Sequence, residues 1–418
     1  MVSEMVDYIG AATGIVLVFV AAIFFFSGMV TNGVAFAAQR NDALQAQNLF
    51  DYILLTPGSP ADWGTSSNAV VPTAFGLSTP DASNPYYLDA GSLIRLMPPV
   101  SSVLTQLNGK SYYNLTVGNV TILLPTDYYL NYTYTKQLLN ITGKFDFQLT
   151  MTPALNITVK QGERQGNVTF HVQVSSYTGA PMSYAAINGT LVYAENATQS
   201  GPPSIGFATE SNVTNVSGKG ELVFPVPNSW VTPPNSTYYV LVNAEAGGVT
   251  GEGFSTNNQL SRTLAYLSVF EGGQNITVIQ HCSVSINPSC GKDYFSVEVL
   301  LPTEQGSYAV EPVVCNTDWI NAGGGGGNQH SYSTCTGLFT DGVAVVAIAQ
   351  TGSGQQSTPQ ILLAPLGLSA QGLRLVYGGN PTGAATAVSL SRVVQVDGVT
   401  YVASFVYWPD VGPVFGGE

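Results

Sequence analysis

The feature that most constrains this chain is a long uncharged stretch near its N-terminus. Residues 8–39 contain no charged side chain, and residues 9–30 are apolar over the roughly 20 positions that a bilayer-spanning helix needs. A soluble buried helix would have to cover Phe24, Phe25 and Phe26 on every side, which argues against that alternative. We therefore predict a permanent apolar helix, with Glu4, Ile15, Phe19, Phe24 and Phe26 as its assembly residues.

A cleavable secretory signal is the main competing interpretation, because Ala35-Phe36-Ala37 has the small-x-small form of a cleavage site. The residues before the apolar stretch include Glu4 and Asp7 but no Lys or Arg, which is unlike a signal peptide. Residues 34–55 contain no proline, and Thr56-Pro57-Gly58 then provides a sharp stop. We predict one continuous helix through residue 55, about 70 Å long at about 1.5 Å per residue.

The charge content excludes several classes of protein. Of 418 residues, 12 are Lys or Arg and 25 are Asp or Glu, so charged residues make up 9% against roughly 25% in ordinary soluble proteins. Twelve dispersed cations cannot build a basic patch, so no nucleic-acid partner is predicted. Hydrophobic residues reach 45%, which is too many for a disordered acidic chain. The composition is typical of a secreted or surface-exposed β protein.

The middle of the chain is rich in Asn-x-Ser/Thr sequons, the acceptor pattern for N-glycosylation. Their clustering predicts a glycosylated exterior protein with N-linked glycans as partners. The twelve sequon asparagines are Asn114, Asn119, Asn131, Asn140, Asn156, Asn167, Asn188, Asn196, Asn212, Asn215, Asn235 and Asn275.

The four cysteines Cys282, Cys290, Cys315 and Cys335 lie close together in sequence, and an even number in an exterior protein suggests two disulfides. Pairing Cys282 with Cys290 and Cys315 with Cys335 closes the shortest loops, but the other two connectivities stay open. His281 and His330 lie nearby, yet no C-x₂-C pair is present, so no metal site is predicted.

Alternating apolar and polar residues predict strands over most of the remaining chain, so the predicted fold is mainly β, with antiparallel β-sandwich domains behind the N-terminal helix. The pattern is clear in residues 145–152 and 168–174, and His171 falls on the polar face of the second segment. Residues 128–135 and 155–160 show the same alternation, with Asn131 and Asn156 on the side expected to meet water. The strongest hairpin signal is Asp397-Gly398 between residues 388–396 and 399–408.

Four regions are predicted from these patterns. They are the apolar helix 1–55, an irregular linker with a first β region 56–153, a β-sandwich 154–260 and a C-terminal β domain 261–418 with the cysteines. Turns at 177–181 and 217–220, followed by an apolar strand and a Pro-containing loop, make the third region similar to the immunoglobulin-like repeats of prokaryotic surface proteins.

Two segments resemble archaeal type IV pilin-like surface proteins: an apolar helix running into LLTPGSPADWG at 54–64, and the closing SLSRVVQVDGVTYVASFVYW at 389–408. The resemblance implies helices that bundle into a filament core or hold the precursor in the membrane, with a β-rich head. The middle of the chain would then be an insertion. It also implies that a glutamate such as Glu4 pairs with a neighbour's α-amino group; the alternative is a solvated flank.

A search for catalytic sets finds none, so neither an enzyme nor a cofactor is predicted. The three histidines lack H-E-x-x-H spacing, there is no G-x-S-x-G, and the glycine run 323–327 has no Lys-Ser/Thr. Asp318-Trp319 is a candidate carbohydrate contact or an ordinary loop tryptophan, and a secreted hydrolase is the weakest interpretation. The predicted function is a cell-surface filament subunit that assembles with copies of itself; the alternative is a monomeric membrane-anchored adhesin or ligand-binding ectodomain.

Overall fold

The computed structural model describes most of the chain in segments. These are residues 2–64, 70–80, 84–98, 105–107, 110–117, 120–162, 166–194, 205–227, 237–257, 264–268, 275–282, 293–302, 308–312, 314–315, 320–321, 329–336, 343–350, 360–365, 374–382, 384 and 386–410. The chain divides into two compact units, Met1–Tyr52 and Ile53–Glu418.

Helix α1 spans Val2–Leu55 and accounts for all of the first unit that is described. It ends where Pro57 and Gly58 follow, and the positive φ of Gly58 (84°) is a conformation that favours glycine. Among the residues that the structure describes, no helix is both long and apolar enough to cross a membrane.

The second unit is mainly β, as predicted, and its described residues include three short helical segments. These are α2 (Ala90–Ile94), the one-turn 3₁₀ helix Thr126–Tyr128 and α3 (Tyr132–Leu138). The first twelve strands are β1 (Tyr87–Leu88), β2 (Thr105–Leu107), β3 (Lys110–Val117), β4 (Val120–Pro125), β5 (Phe145–Pro153), β6 (Leu155–Gly162), β7 (Asn167–Ser176), β8 (Ala186–Ala194), β9 (Ile205–Val213), β10 (Lys219–Pro227), β11 (Thr237–Ala246) and β12 (Val249–Thr256). The remaining strands are β13 (Leu264–Ser268), β14 (Asn275–Cys282), β15 (Asp293–Pro302), β16 (Tyr308–Pro312), β17 (Val314–Cys315), β18 (Ile320–Asn321), β19 (Gln329–Thr336), β20 (Val343–Gln350), β21 (Gln360–Pro365), β22 (Leu375–Gly378), β23 (Val388–Val396) and β24 (Val399–Pro409).

The described strands form five sheets. Their strand orders are β1-β23-β24-β5-β22, β10-β7-β6, β12-β11-β8-β9, β17-β19-β14-β13-β4-β3-β2 with β18 beside β19, and β16-β15-β20-β21. Among the described pairs, β1 with β23 and β13 with β4 run parallel and the others antiparallel. This pairing confirms the predicted mainly antiparallel β class.

Two of these sheets face each other across one apolar core. The sheet β10-β7-β6 contributes Val168, Phe170 and Phe224, and the sheet β12-β11-β8-β9 contributes Leu191 and Val240, all buried. The alternation predicted for residues 168–174 therefore reflects a half-buried strand whose apolar side faces the second sheet. His171 lies on the exposed side of β7, as predicted.

The sheet β1-β23-β24-β5-β22 joins distant parts of the chain. Strand β24 pairs with β5 along its length, so the C-terminal hairpin lies between β5 and the short, earlier strand β1. The chain leaves this sheet after β5 and returns at β22, which pairs with the other side of β5. The predicted hairpin is confirmed, because Asp397 and Gly398 both have positive φ (44° and 81°), as a two-residue type I′ turn requires.

The strand predicted for residues 128–135 is wrong. Asn131 caps α3 instead, accepting a hydrogen bond from the Thr133 amide at 2.8 Å. Alternating Tyr and Thr residues fit a strand only where a neighbouring strand pairs with them, and here the side-chain cap starts a helix. Helix α2 was not predicted either; Asp89 caps it through a 2.7 Å hydrogen bond from the Ser92 amide.

Candidate functional site

An exposed apolar segment is the most unusual surface of the first unit. Phe19, Phe24, Phe25 and Phe26 are each 66–74% exposed, and Val18, Ile23 and Met29 are exposed as well. Ile23, Phe24, Phe25 and Phe26 are consecutive, and because successive helical residues are about 100° apart, these four side chains point to nearly every side of the helix. The segment is therefore apolar all round, which is typical of a helix that is covered on every side by apolar partners.

The other predicted assembly residues lie on the same helix. Glu4 and Ile15 are both in α1, where the structure describes their backbone only. Phe19, Phe24 and Phe26 fall within the exposed segment.

The sequons that can be placed lie on the outside of the β unit. Asn188 is half-buried on β8, whereas the other sequon asparagines with described side chains are exposed. The exposed ones are Asn131, Asn140, Asn156, Asn167, Asn212 and Asn215. Asn114 and Asn275 lie on β3 and β14 with only their backbone described, and Asn119, Asn196 and Asn235 fall outside the described residues. An exposed asparagine leaves room for a bulky glycan, so these positions suit the predicted modification.

Strand register aligns two of the four cysteines. Cys315 on β17 lies directly opposite Cys335 on β19. Residues opposite each other in an antiparallel pair have Cα atoms about 4.5–5.5 Å apart, within the range that a disulfide spans. Cys282 ends β14 opposite Gln329, and Cys290 lies outside the described residues, as do Asp318, Trp319 and the glycine run 323–327.

A groove of about 390 Å³ opens where β5 and β6 meet β12. It contains a buried carboxylate, Glu252, together with the exposed Tyr177, Asn156 and Arg374. An exposed aromatic ring beside hydrogen-bonding groups of both charges can stack on and bind a small polar ligand. The full lining is Thr152, Pro153, Leu155, Asn156, Ile157, Tyr177, Glu252, Gly253, Phe254 and Arg374.

A buried arginine holds the segment that follows α1. Trp63, fully buried, donates its indole N–H to the carbonyls of Pro57 (3.0 Å) and Gly76 (3.1 Å). Arg95 lies 5.1 Å from the Trp63 ring and 4.7 Å from the Tyr128 ring, in cation–π geometry. Within the motif that carries the pilin-like resemblance, Trp63 is thus a structural anchor.

The guanidinium of Arg95 joins three separate parts of the chain. It donates to the carbonyls of Tyr128 (2.8 Å), Val70 (3.0 Å) and Trp63. The Tyr128 hydroxyl in turn donates to the Gly64 carbonyl at 3.1 Å. Burial raises the pKa of Tyr128 to about 12, although the Arg95 charge opposes the rise. Sequence reasoning missed this cluster because Arg95 has no motif and its partners are distant in sequence.

A second polar cluster fastens α3 to the sheet containing β5. The Tyr377 hydroxyl lies 2.6 Å from the Thr135 hydroxyl, and Lys136 Nζ lies 2.7 Å from Asp146 Oδ1 and 3.4 Å from Asp410 Oδ2. Burial raises the pKa of Tyr377. Burial lowers the pKa of Lys136, but the hydrogen bond and charge of Asp146, helped by Asp410, outweigh it and raise that pKa overall.

Both clusters have structural explanations, because each charged or phenolic group in them has a protein partner. Among the described residues, no group of three or more His, Cys, Asp or Glu side chains could hold a metal ion. No family model matches the chain, and no curated protein matches it.

Proposed function

We propose that this chain is a structural subunit of an archaeal type IV pilin-like surface filament, assembled through α1 with its glycosylated β domains facing outward. The observation that carries the proposal is the exposed apolar segment 18–29 of α1. A neighbouring copy of the same helix is the partner that this surface fits best, since copies can surround a helix that is apolar on every side. On this proposal the membrane holds the subunit before assembly.

The exposed apolar surface of α1 is large enough to contribute substantially to the free energy of association. At about 200 Å² per phenylalanine, four rings that are 66–74% exposed present roughly 550 Å². That lies near the top of the roughly 300–600 Å² typical of the largest apolar patch on a monomer, before the exposed Val18, Ile23 and Met29 are counted. Covering it contributes about 14 kcal/mol at about 25 cal/mol per Å², comparable to the roughly 4–15 kcal/mol that association costs. Covering the phenylalanines therefore contributes a free energy of the same order as the cost of association.

The sheet topology also supports a pilin-like head. Strands from residues 145–153 and 375–409 form one sheet, and the chain between them returns to where it left. This is the arrangement expected if the β-sandwich and the cysteine-containing strands are insertions into a smaller head. The six exposed sequons support a sugar-coated exterior.

The test compares two single substitutions at equally exposed aromatic positions. Phe24 is 74% exposed on α1, and Tyr184 is 70% exposed on the β unit. If α1 forms the filament core, Phe24→Ser removes about 150 Å² of buried apolar contact, or about 3.7 kcal/mol per subunit. The critical concentration for assembly of the intact protein, measured by sedimentation, should then rise by two to three orders of magnitude.

Tyr184→Ser is the matched control and should leave assembly unchanged. Electron microscopy of the wild type should show ordered filaments, and glycopeptide mass spectrometry of protein from its native source should find sugars on the exposed sequons. Wild-type protein that stays monomeric after detergent removal, or Phe24→Ser filaments that form at the wild-type concentration, would contradict the proposal.

The groove beside Tyr177 favours the alternative, a monomeric membrane-anchored adhesin or ligand-binding ectodomain. Its mixture of an exposed ring, a carboxylate, an amide and a guanidinium suits a saccharide. Ligand-detected NMR of the intact protein with a panel of monosaccharides tests it, with Tyr177→Ala expected to abolish binding and Tyr184→Ala to preserve it. If none of the sugars binds, the groove no longer supports this alternative.

A further inference from the structure

Two of the three histidines in this chain, far apart in sequence, are brought together by strand pairing. His281 is the penultimate residue of β14, His330 is the second residue of β19, and the two are direct register partners in an antiparallel ladder. The third histidine, His171, lies in a different sheet, opposite Glu221 and Lys160. The chain has only three histidines, so two of its three imidazole groups belong to directly opposed positions.

The register places both histidines on the same face of the sheet. Directly opposite residues of an antiparallel pair share a face, with Cβ atoms about 4.5–5.5 Å apart. On the other side of β14, Leu264 of β13 is the register partner of His281. The row across these three strands therefore reads Leu264, His281, His330.

Alternation along the strands assigns the nearby cysteines to the opposite face. Cys282 directly follows His281, so it belongs to the other face of β14. Cys335 is the partner of Ile276, which is also an odd number of positions from His281. The two histidine positions therefore share a face to which neither Cys282 nor Cys335 belongs, which distinguishes this pair from a mixed Cys/His zinc site built with those cysteines.

A pair of imidazoles at this spacing has a definite chemistry. Neutral imidazole is the commonest metal ligand in proteins and suits Zn²⁺, Cu²⁺ and Ni²⁺, with Cu²⁺ bound most tightly by a given set of nitrogen ligands. We infer that the register pair His281–His330 is a two-histidine site for a divalent transition-metal ion, with Cu²⁺ preferred and water completing the coordination. Bound metal would link β14 to β19, the strand that also carries Cys335.

The test is calorimetric titration of the intact protein with CuCl₂, NiCl₂ and ZnCl₂ at neutral pH under non-reducing conditions. One ion should bind per chain, with Cu²⁺ tightest. His281→Gln and His330→Gln should each weaken binding at least about tenfold, since losing even a group that only supports a ligand costs that much. The double substitution should add little to either single one, because both remove the same two-point attachment. His171→Gln is the matched control and should bind like the wild type.

A spectroscopic measurement on unaltered protein guards against variants that fail to fold. With one equivalent of Cu²⁺, pulsed electron paramagnetic resonance should show coupling to the remote nitrogens of two imidazoles. No saturable binding, equal weakening by His171→Gln, full affinity after either substitution in the pair, or a copper spectrum without two imidazoles would each overturn the inference. The site does not depend on the proposed filament function.

Discussion

Replacing Arg95 with Met should destabilise the β unit severely. Arg95 is 1% exposed, and its guanidinium donates hydrogen bonds to the carbonyls of Trp63, Val70 and Tyr128. A buried acceptor that loses its donor costs about 1–3 kcal/mol, so the two buried bonds give roughly 2–6 kcal/mol and the partly buried bond to Val70 adds a smaller share. Methionine fills much of the space, and the buried charge no longer has to be desolvated, so the net loss should lie within that range, at about 3–5 kcal/mol.

The assay is urea unfolding and thermal melting of the intact protein, followed by tryptophan fluorescence because Trp63 sits against the substituted side chain. At about 2–4 °C per kcal/mol, a loss of about 4 kcal/mol lowers Tm by roughly 8–16 °C. Arg95→Lys should lose an intermediate amount, since an ammonium lacks the planar fork that reaches several carbonyls at once. Arg374→Met is the control, because Arg374 is exposed.

The reasoning would be refuted if Arg95→Met were as stable as Arg374→Met. That result would mean that removing the desolvation cost of the buried guanidinium offsets the loss of its three hydrogen bonds. Such an offset occurs when a buried ionic group is replaced by well-packed apolar atoms. It would also mean that Arg95 is not needed to hold residues 57–64 and 70–76 in place.

Three further predictions concern pH, the cysteines and a turn. The pKa of Tyr128 is raised from 10.0 to about 12 and that of Tyr377 is raised too, so both phenols ionise more easily in the unfolded chain than in the folded one. The free energy of unfolding should therefore fall as pH rises from about 10 to 12. Urea titrations at stepped pH should show this fall, and Tyr128→Phe should make it shallower. Non-reducing peptide mass spectrometry should find Cys315 linked to Cys335, and a link from either to another cysteine would contradict the register argument. Gly398→Val, which puts a β-branched residue at φ 81° in the β23–β24 turn, should cost at least about 1 kcal/mol in urea unfolding, whereas Ser391→Val within β23 should cost less.

Local patterns predicted the parts of the fold that depend on neighbours in sequence. Alternation marked β5 and β7 because each has one buried face, and Asp397-Gly398 marked its hairpin because only a few residue types tolerate two successive positive φ angles. The same reasoning failed at residues 128–135, where the Asn131 cap selected a helix over a strand. A strand pattern is decisive only where a partner strand is present, and the sequence does not say where one is.

By itself, then, the sequence determined the mainly β class, the outward placement of Asn156 on β6 and the apolar character of residues 9–30, since these follow from side-chain chemistry and short-range periodicity. Only the tertiary structure decided that Arg95 meets Trp63, that Cys315 faces Cys335 and that His281 faces His330. The physical reason is that pairing between distant strands depends on which apolar faces bury each other across the whole chain. A shift of one residue would move every side chain to the other face, and no local signal specifies that register.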